Sequence, residues 1–231
     1  MSNDGEARSA TLDFQWGDEV MEFECFDDAR SRLTCETVLG GWAYPVVSFV
    51  RDVNVVMDVG ANVGAAAVFF SLAYPAATVH AFEPARRPYR LLKANTDSRP
   101  NVHAHNFGLY STNLRTRLDN GTEASEPITL RSVREWLAEN SIPTVDVLKI
   151  DAAACEVPIL EAMSDLLPTI KVVHLEYHSD DDRKAFDRLL GETHLLLHGK
   201  MQAHLGEVTY VGRNAFESEA QLDRRPMKLE L

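Results

Sequence analysis

The chain has 231 residues, of which 35 are acidic and 23 basic; its net charge of −12 argues against a nucleic-acid-binding surface, which normally shows a basic stripe. Hydrophobic residues at 45% and charged residues at 25% are ordinary globular values, and the length suits one well-packed α/β domain with an extension rather than two large domains. No apolar run approaches membrane-spanning length, and Cys25, Cys35 and Cys155 are odd in number without metal-ligand spacing, so a reducing cytoplasm is the expected setting.

Residues 1 to about 11 are polar and read as a disordered start. Phe14 to Phe26 alternates loosely, with Val20, Phe23 and Phe26 among acids, and reads as a strand pair or a short helix. Leu33 to Val50 reads as helical on either side of Gly40-Gly41 and Pro45. Residues 1–50 are therefore assigned to an N-terminal extension with lid-like helices over a cofactor pocket. The alternative is that Trp42 and Tyr44 simply pack against the domain.

The run from Val53 to Phe70 organises everything after it. A β-branched strand, Val53 to Val59, meets a turn holding Gly60 and Gly64, and an alanine-rich helix follows until Tyr74-Pro75 stops it. Glycines let the backbone pass close to a ligand, and the helix N-terminus offers free N–H groups. Ala77 to Phe82 is the next strand, and Glu83 ends it at close to the roughly 20-residue spacing of an acid that binds a ribose diol. The glycine pattern is G-x-x-x-G, not the dinucleotide G-x-G-x-x-G, and Asp58 stands where a pyrophosphate would meet its negative charge. A ligand with an ammonium and a ribose but no phosphate fits better, and S-adenosylmethionine (SAM) is one.

Arg86 to Asn95 reads as a helix and Asn101 to Phe107 as the third strand, its polar end facing the adenine of a bound nucleoside. His103 and His105 share one strand face, but no metal is assigned to them. Asp119 to Glu126 is a polar, turn-rich loop, and Ile128-Thr129-Leu130 leads into a helix from Ser132 to Glu139. Val145 to Ile150 is the fourth strand, closing at Asp151; Val157 to Leu167 is an amphipathic helix; Lys171 to Tyr177 is the fifth strand, ending Glu176-Tyr177-His178. A helix at about Asp182–Leu190 precedes two strand-like runs, Thr193–His198 and Val208–Val211, which read as a terminal hairpin. The catalytic domain is assigned to 51–217 and a charged tail to 218–231. Strands alternating with helices predict a three-layer α/β sandwich with a mostly parallel, seven-stranded sheet. Asp58, Glu83, Asn106, Asp151 and Glu176 all fall at strand carboxyl ends, where such sheets bind ligands.

Three blocks resemble the FkbM family of SAM-dependent methyltransferases: Met57-Asp58-Val59-Gly60-Ala61-Asn62-Val63-Gly64, then Ala81-Phe82-Glu83-Pro84, then Leu148-Lys149-Ile150-Asp151 through Glu156. Leu175-Glu176-Tyr177-His178 is similar to the ending of the family's fifth strand. The resemblance implies the Rossmann-like class I methyltransferase fold and methyl transfer to a hydroxyl on a sugar, glycolipid or polyketide-type product. It implies that Gly60, Ala61, Asn62 and Gly64 line the methionine end of SAM, that Glu83 takes the ribose hydroxyls, and that Asn106 and Phe107 lie near the adenine; Asp58 joins the cofactor-binding set through its charge. The chain departs from the family after the fourth strand: where Asp-x-Glu-Gly-x-Glu is typical, it reads Asp151-Ala152-Ala153-Ala154-Cys155-Glu156.

A hydroxyl acceptor must lose its proton, so a general base is expected. His178 is the first candidate, since histidine titrates near neutrality. Asp151, which also borders the cofactor, is the second, and Glu176 completes the catalytic set. An Asp/Glu/His cluster is also suited to a hard cation, but without the middle acid no metal is expected. The partner expected is a small hydroxylated acceptor, with no nucleic acid, no membrane span, and a homodimer as the candidate assembly. Two other readings stay open: an N- or carboxyl-methyltransferase of the same fold, and a non-catalytic SAM-fold protein.

Overall fold

The computed structural model describes residues 8–118, 125–152 and 154–216. The first seven residues, most of the polar loop expected at Asp119 to Glu126, the substituted family acid at Ala153 and the tail from Ser218 lie outside the described residues. The chain opens with a hairpin, β1 (Ser9–Trp16) and β2 (Glu19–Phe26), that turns at Gly17 and pairs Ser9 through Trp16 without a break. Helix α1 (Ala29–Leu39) follows; the Asp28 side chain accepts from the Ser31 N–H, satisfying one of the free donors of its first turn. The extension is thus a hairpin and one helix. The second helix expected before Val50 is absent, because the helix closes at Gly40-Gly41, where Gly41 is left-handed with φ 74°, and Pro45 follows.

Alternation of strand and helix then sets in: β3 (Val55–Val59), α2 (Ala65–Ala73), β4 (Thr78–Phe82), α3 (Arg86–Thr96) and β5 (Val102–His105). Past β5 come three short strands absent from the sequence reading: β6 (Gly108–Tyr110), β7 (Leu114–Leu118) and β8 (Glu126–Ser132), joined as a separate sheet ordered β6-β8-β7. β7 is exposed over nearly its whole length, so its residues lack the hydrophobic alternation that marks a strand. The domain continues through α4 (Val133–Glu139), β9 (Val147–Ile150), α5 (Glu156–Ala162), β10 (Val172–Tyr177), α6 (Asp180–Leu190), β11 (His194–Met201) and β12 (Gly206–Gly212). α5 is shorter than the helix expected to Leu167, with Pro168 in a 3-10 turn beyond it.

The main sheet has seven strands in the order β11-β12-β10-β9-β3-β4-β5. From β10 to β5 neighbours are parallel; β12 runs antiparallel to both β10 and β11. The chain moves outward from β3 to β5 and then returns to β9 on the other side of β3. The switch point between β3 and β9 is where a crevice opens above the carboxyl ends. One core, with Phe69, Phe70 and Leu92, lies under α1 to α3 and the hairpin; the second, with Trp136, Ile159 and Phe186, lies under α4 to α6. Ala65, Ala66 and Ala67 are all buried, and their small side chains let α2 lie close on the sheet. Among the described residues no helix is long and apolar enough to cross a membrane.

Four histidines are folded into this framework. His174 is wholly buried, stacked on Phe70 at 5.7 Å and bonded through Nδ1 to Thr209 Oγ1 at 2.9 Å. His80 Nδ1 meets His105 Nε2 at 3.3 Å across β4 and β5, and both rings abut Trp136. Burial pushes His80, His105 and His194 down to about 4 and His174 to about 3. The unfolded chain, with imidazoles near 6.5, takes up these protons first. Stability is therefore complete above pH 6.5 and is lost as pH falls toward 4. The urea midpoint is expected to drop clearly between pH 7.5 and pH 5; equal midpoints would show that these rings are not held neutral.

Candidate active site

The turn after β3 depends on a backbone that ordinary side chains do not permit. Gly60 has φ 78°, and a Cβ built there would lie 1.8 Å from the Asp151 carbonyl oxygen. The turn is thus pressed directly against the chain leaving β9. The Gly60 and Ala61 N–H groups both donate to Phe82 O, at 3.0 and 2.9 Å, which ties the turn to β4 as well. Gly64, with φ 94°, serves a different purpose: a Cβ there would strike Leu92 of α3 at 2.8 Å. It lets α2 start against α3.

Glu83 ends β4 as expected. Its Oε2 accepts from the Asn62 N–H at 2.9 Å and its Oε1 from the Ala85 N–H at 2.8 Å, so each oxygen keeps lone pairs for a further donor. Burial raises its pKa although these two N–H groups oppose the rise. Asn106 and Phe107 lie just beyond β5. Asn106 Nδ2 donates to Glu83 O at 3.0 Å, and Phe107 packs on Phe82 with the Arg131 guanidinium 5.1 Å from its ring centroid.

Asp58 has a partner inside the protein. The residue expected near the ligand's ammonium is fully buried near the end of β3. Its cation is internal. Lys149, directly opposite it on β9, brings Nζ to 3.0 Å from Asp58 Oδ1. The same Nζ donates to Gly60 O at 2.7 Å and stands 3.8 Å from Asp151 Oδ2. Burial works against the Lys149 charge, but Asp58 and Asp151 outweigh it and raise the pKa. A lysine in the apolar run Val147-Leu148-Lys149-Ile150 was the visible signal for this pair, since a charge on a doubly covered strand needs a buried partner.

Beside the turn opens a cleft of about 530 Å³, a volume in the range of small-molecule sites. Gly60, Ala61 and Asn62 form one wall and α1 residues such as Thr34 and Val38 another, while Asp151, Glu176 and His178 stand at the reacting end. These three place one potential ligand atom each within 4.8 Å of one another, so they are also the described residues arranged to hold a cation. His178 Nε2 is 3.8 Å from Glu176 Oε1, and its Nδ1 is 3.7 Å from Oε1 of the buried Glu156. Tyr44, buried over α2, donates its hydroxyl to Asp151 Oδ2 at 3.4 Å, whereas Trp42 is exposed. Burial, with Asp151 and Glu207 adding to it, pushes Glu176 up to about 8. Tyr44, Lys149 and Glu207 are functional neighbours that sequence spacing missed. Ala154 retains the left-handed conformation, φ 67°, that a glycine supplies without cost.

Residues 58–210 match the model of the methyltransferase FkbM domain. The chain belongs to the FkbM methyltransferase family. It is 30% identical over 154 residues, 62% of this chain, to the hexuronic acid methyltransferase AglP of Haloferax volcanii, and it spans 63% of that relative's length. It is 28% identical to the 31-O-demethyl-FK506 methyltransferase FkbM of Streptomyces tacrolimicus, covering 64% of this chain and 72% of that one. Among solved structures, the fibrillarin pre-rRNA processing protein of Methanococcus jannaschii superposes with a TM-score of 0.51 at 15% identity, over 87% of this chain and 82% of that one. The fold is the class I methyltransferase fold.

The residues present fit SAM: a carboxylate with free lone pairs ends β4, and the turn at Gly60 has no side chain to obstruct a ligand. Gly60→Ala is expected to disrupt the domain, because a backbone oxygen occupies the space; a variant with wild-type thermal midpoint would refute the contact with Asp151. Glu83→Ala is expected to weaken binding of S-adenosylhomocysteine (SAH) by at least about tenfold, since charge-assisted hydrogen bonds contribute roughly 1.5–3 kcal/mol each. Calorimetry on a variant with retained circular dichroism measures this, and unchanged affinity would remove Glu83 from the cofactor site.

Proposed function

We propose that this protein methylates a hydroxyl oxygen of a small hydroxylated acceptor of the sugar, glycolipid or polyketide class. The observation that carries the reading is the convergence of Asp151, Glu176 and His178 on the cleft bounded by the Gly60–Asn62 turn. Support for the acceptor class comes from the two curated relatives, one named for a hexuronic acid and one for an O-demethylated FK506.

When bound, SAM supplies an electrophilic methyl on a sulfonium that departs as a neutral thioether. The residues of the chain do the rest. The Gly60–Asn62 turn and Glu83 hold the donor in place, and a defined geometry supplies much of the rate in such a displacement. The acceptor hydroxyl would give up its proton to a base of this chain when it is methylated. His178 is the first candidate, with Glu156 behind Nδ1 to stabilise the imidazolium, and Asp151 is the second. Burial favours the protonated form of Glu176, in which it donates a hydrogen bond rather than acting as a base.

His178→Ala and Asp151→Asn are each expected to lower turnover 10²–10⁴-fold, the usual value of general-base assistance, with less than about tenfold loss of SAH affinity. Equal losses in both measurements would make these residues cofactor ligands instead. A chelator is expected to leave turnover unchanged; loss with rescue by a divalent ion would place a cation on the three side chains. Binding of NAD without SAM or SAH would overturn the reading as a whole.

A further inference from the structure

The last hairpin of the main sheet carries an apolar surface that the fold leaves uncovered. Strand β11 is the edge of that sheet and pairs with β12. Among the described residues ten large apolar side chains are exposed, and four of them, Leu196, Leu197, Met201 and Leu205, fall in this hairpin and its turn. A bulge at Leu197 breaks the register with β12, so the alternation that would send Leu196 and Leu197 to opposite faces is lost and both stay exposed. The stretch also holds no acid: from Thr193 to Gly206 there is Lys200 and neither Asp nor Glu, in a chain with 35 acidic residues. Apolar groups gathered on one exposed element mark an interaction surface.

This surface is fastened to the reacting end of the cleft. Tyr177, between Glu176 and His178, donates its hydroxyl to Gln202 O at 2.7 Å, and a Cβ on Gly206 would meet the Tyr177 ring at 2.6 Å. The turn, in which the Gln202 N–H donates to Leu205 O at 3.0 Å, thus rests on the strand that carries Glu176. Lys200 and Glu207, register partners next to the turn, both line the cleft. Whatever covers the apolar side chains is held beside the cleft mouth.

We infer that the β11–β12 hairpin docks the protein on an anionic lipid bilayer. Leu196, Leu197, Met201 and Leu205 enter the lipid–water interface, and the acid-free strand is where anionic headgroups can approach a chain whose net charge of −12 otherwise repels them. Charge decides the occupant. A second copy pairing through the same edge would set Lys200 and the exposed His198 and His204 against their own counterparts, with no carboxylate between them. The consequence for the acceptor rests on the methyl-transfer reading above. A lipid-anchored sugar would bring its hydroxyl to the acids while its anchor stays in the bilayer, which narrows the acceptor class to glycolipids.

Co-sedimentation of the full-length protein with phosphatidylcholine vesicles, with and without phosphatidylglycerol, tests the docking. The protein is expected to partition onto the vesicles that contain phosphatidylglycerol and to be released as salt is raised. Leu197→Glu combined with Met201→Glu is expected to lower that partitioning at least about tenfold, with thermal midpoint and SAH affinity unchanged. Should the pair disturb the strand, Leu205→Glu in the turn carries the same expectation. A wild-type protein that stays in solution, that binds both vesicles equally, or whose binding survives these substitutions overturns the inference. So does a dimer in equilibrium sedimentation that the double variant converts to monomer without any vesicle binding, since the edge then belongs to a second copy. A wild-type protein that sediments with vesicles but does not bind SAH overturns the methyl-transfer reading and the acceptor class, and leaves the docking in place.

Discussion

The joint between β3 and β9 is the constraint on which the rest of the molecule depends. Asp58 and Lys149 face each other across it, both out of water, and the Gly60 turn rests on the Asp151 carbonyl one step further on. An ion pair taken from water is costly unless its remaining donors and acceptors are occupied, and here the spare protons of Lys149 are directed at Gly60 O and toward Asp151. The same contacts that close the sheet at its switch point thereby fix the position of the cofactor turn relative to the acids.

Function follows from what this joint brings together. The turn presents backbone and no side chain, and Glu83 braces it through the Asn62 N–H. Asp151, Glu176 and His178 arrive from the ends of two adjacent strands, with Glu156 and Tyr44 behind them. Burial raises the pKa of both Glu156 and Glu176, so their surroundings favour the protonated forms. Methyl transfer needs little more from a protein: a fixed donor, a place for the acceptor and a base within reach.

The N-terminal hairpin and α1 complete the cleft rather than the sheet. α1 packs on α2 and forms one wall, so the space beside the turn is bounded by a segment outside the strand–helix alternation. The hairpin β11–β12 contributes the opposite rim, where Lys200 and Glu207 are register partners. Both segments come from the two ends of the described chain, whereas the cofactor turn and the acids come from its centre.

Much of this was legible from residue order. Buried parallel strands are continuous apolar runs, so β3, β4, β9 and β10 announce themselves, and so do the acids at their carboxyl ends. The small sheet of β6 to β8 did not, because exposed β7 carries no alternation and β6 is three residues long. Side-chain direction was also hidden. Asp58 has its partner on β9 and Gly64 lies against a leucine of α3, and both neighbours lie far away in sequence. Local chemistry determined the strands, the glycine turn and which acids stand at one end of the sheet. Only the tertiary structure decided which of them face the cleft and which are consumed in holding it, because that choice is made by charges and volumes arriving from neighbouring strands.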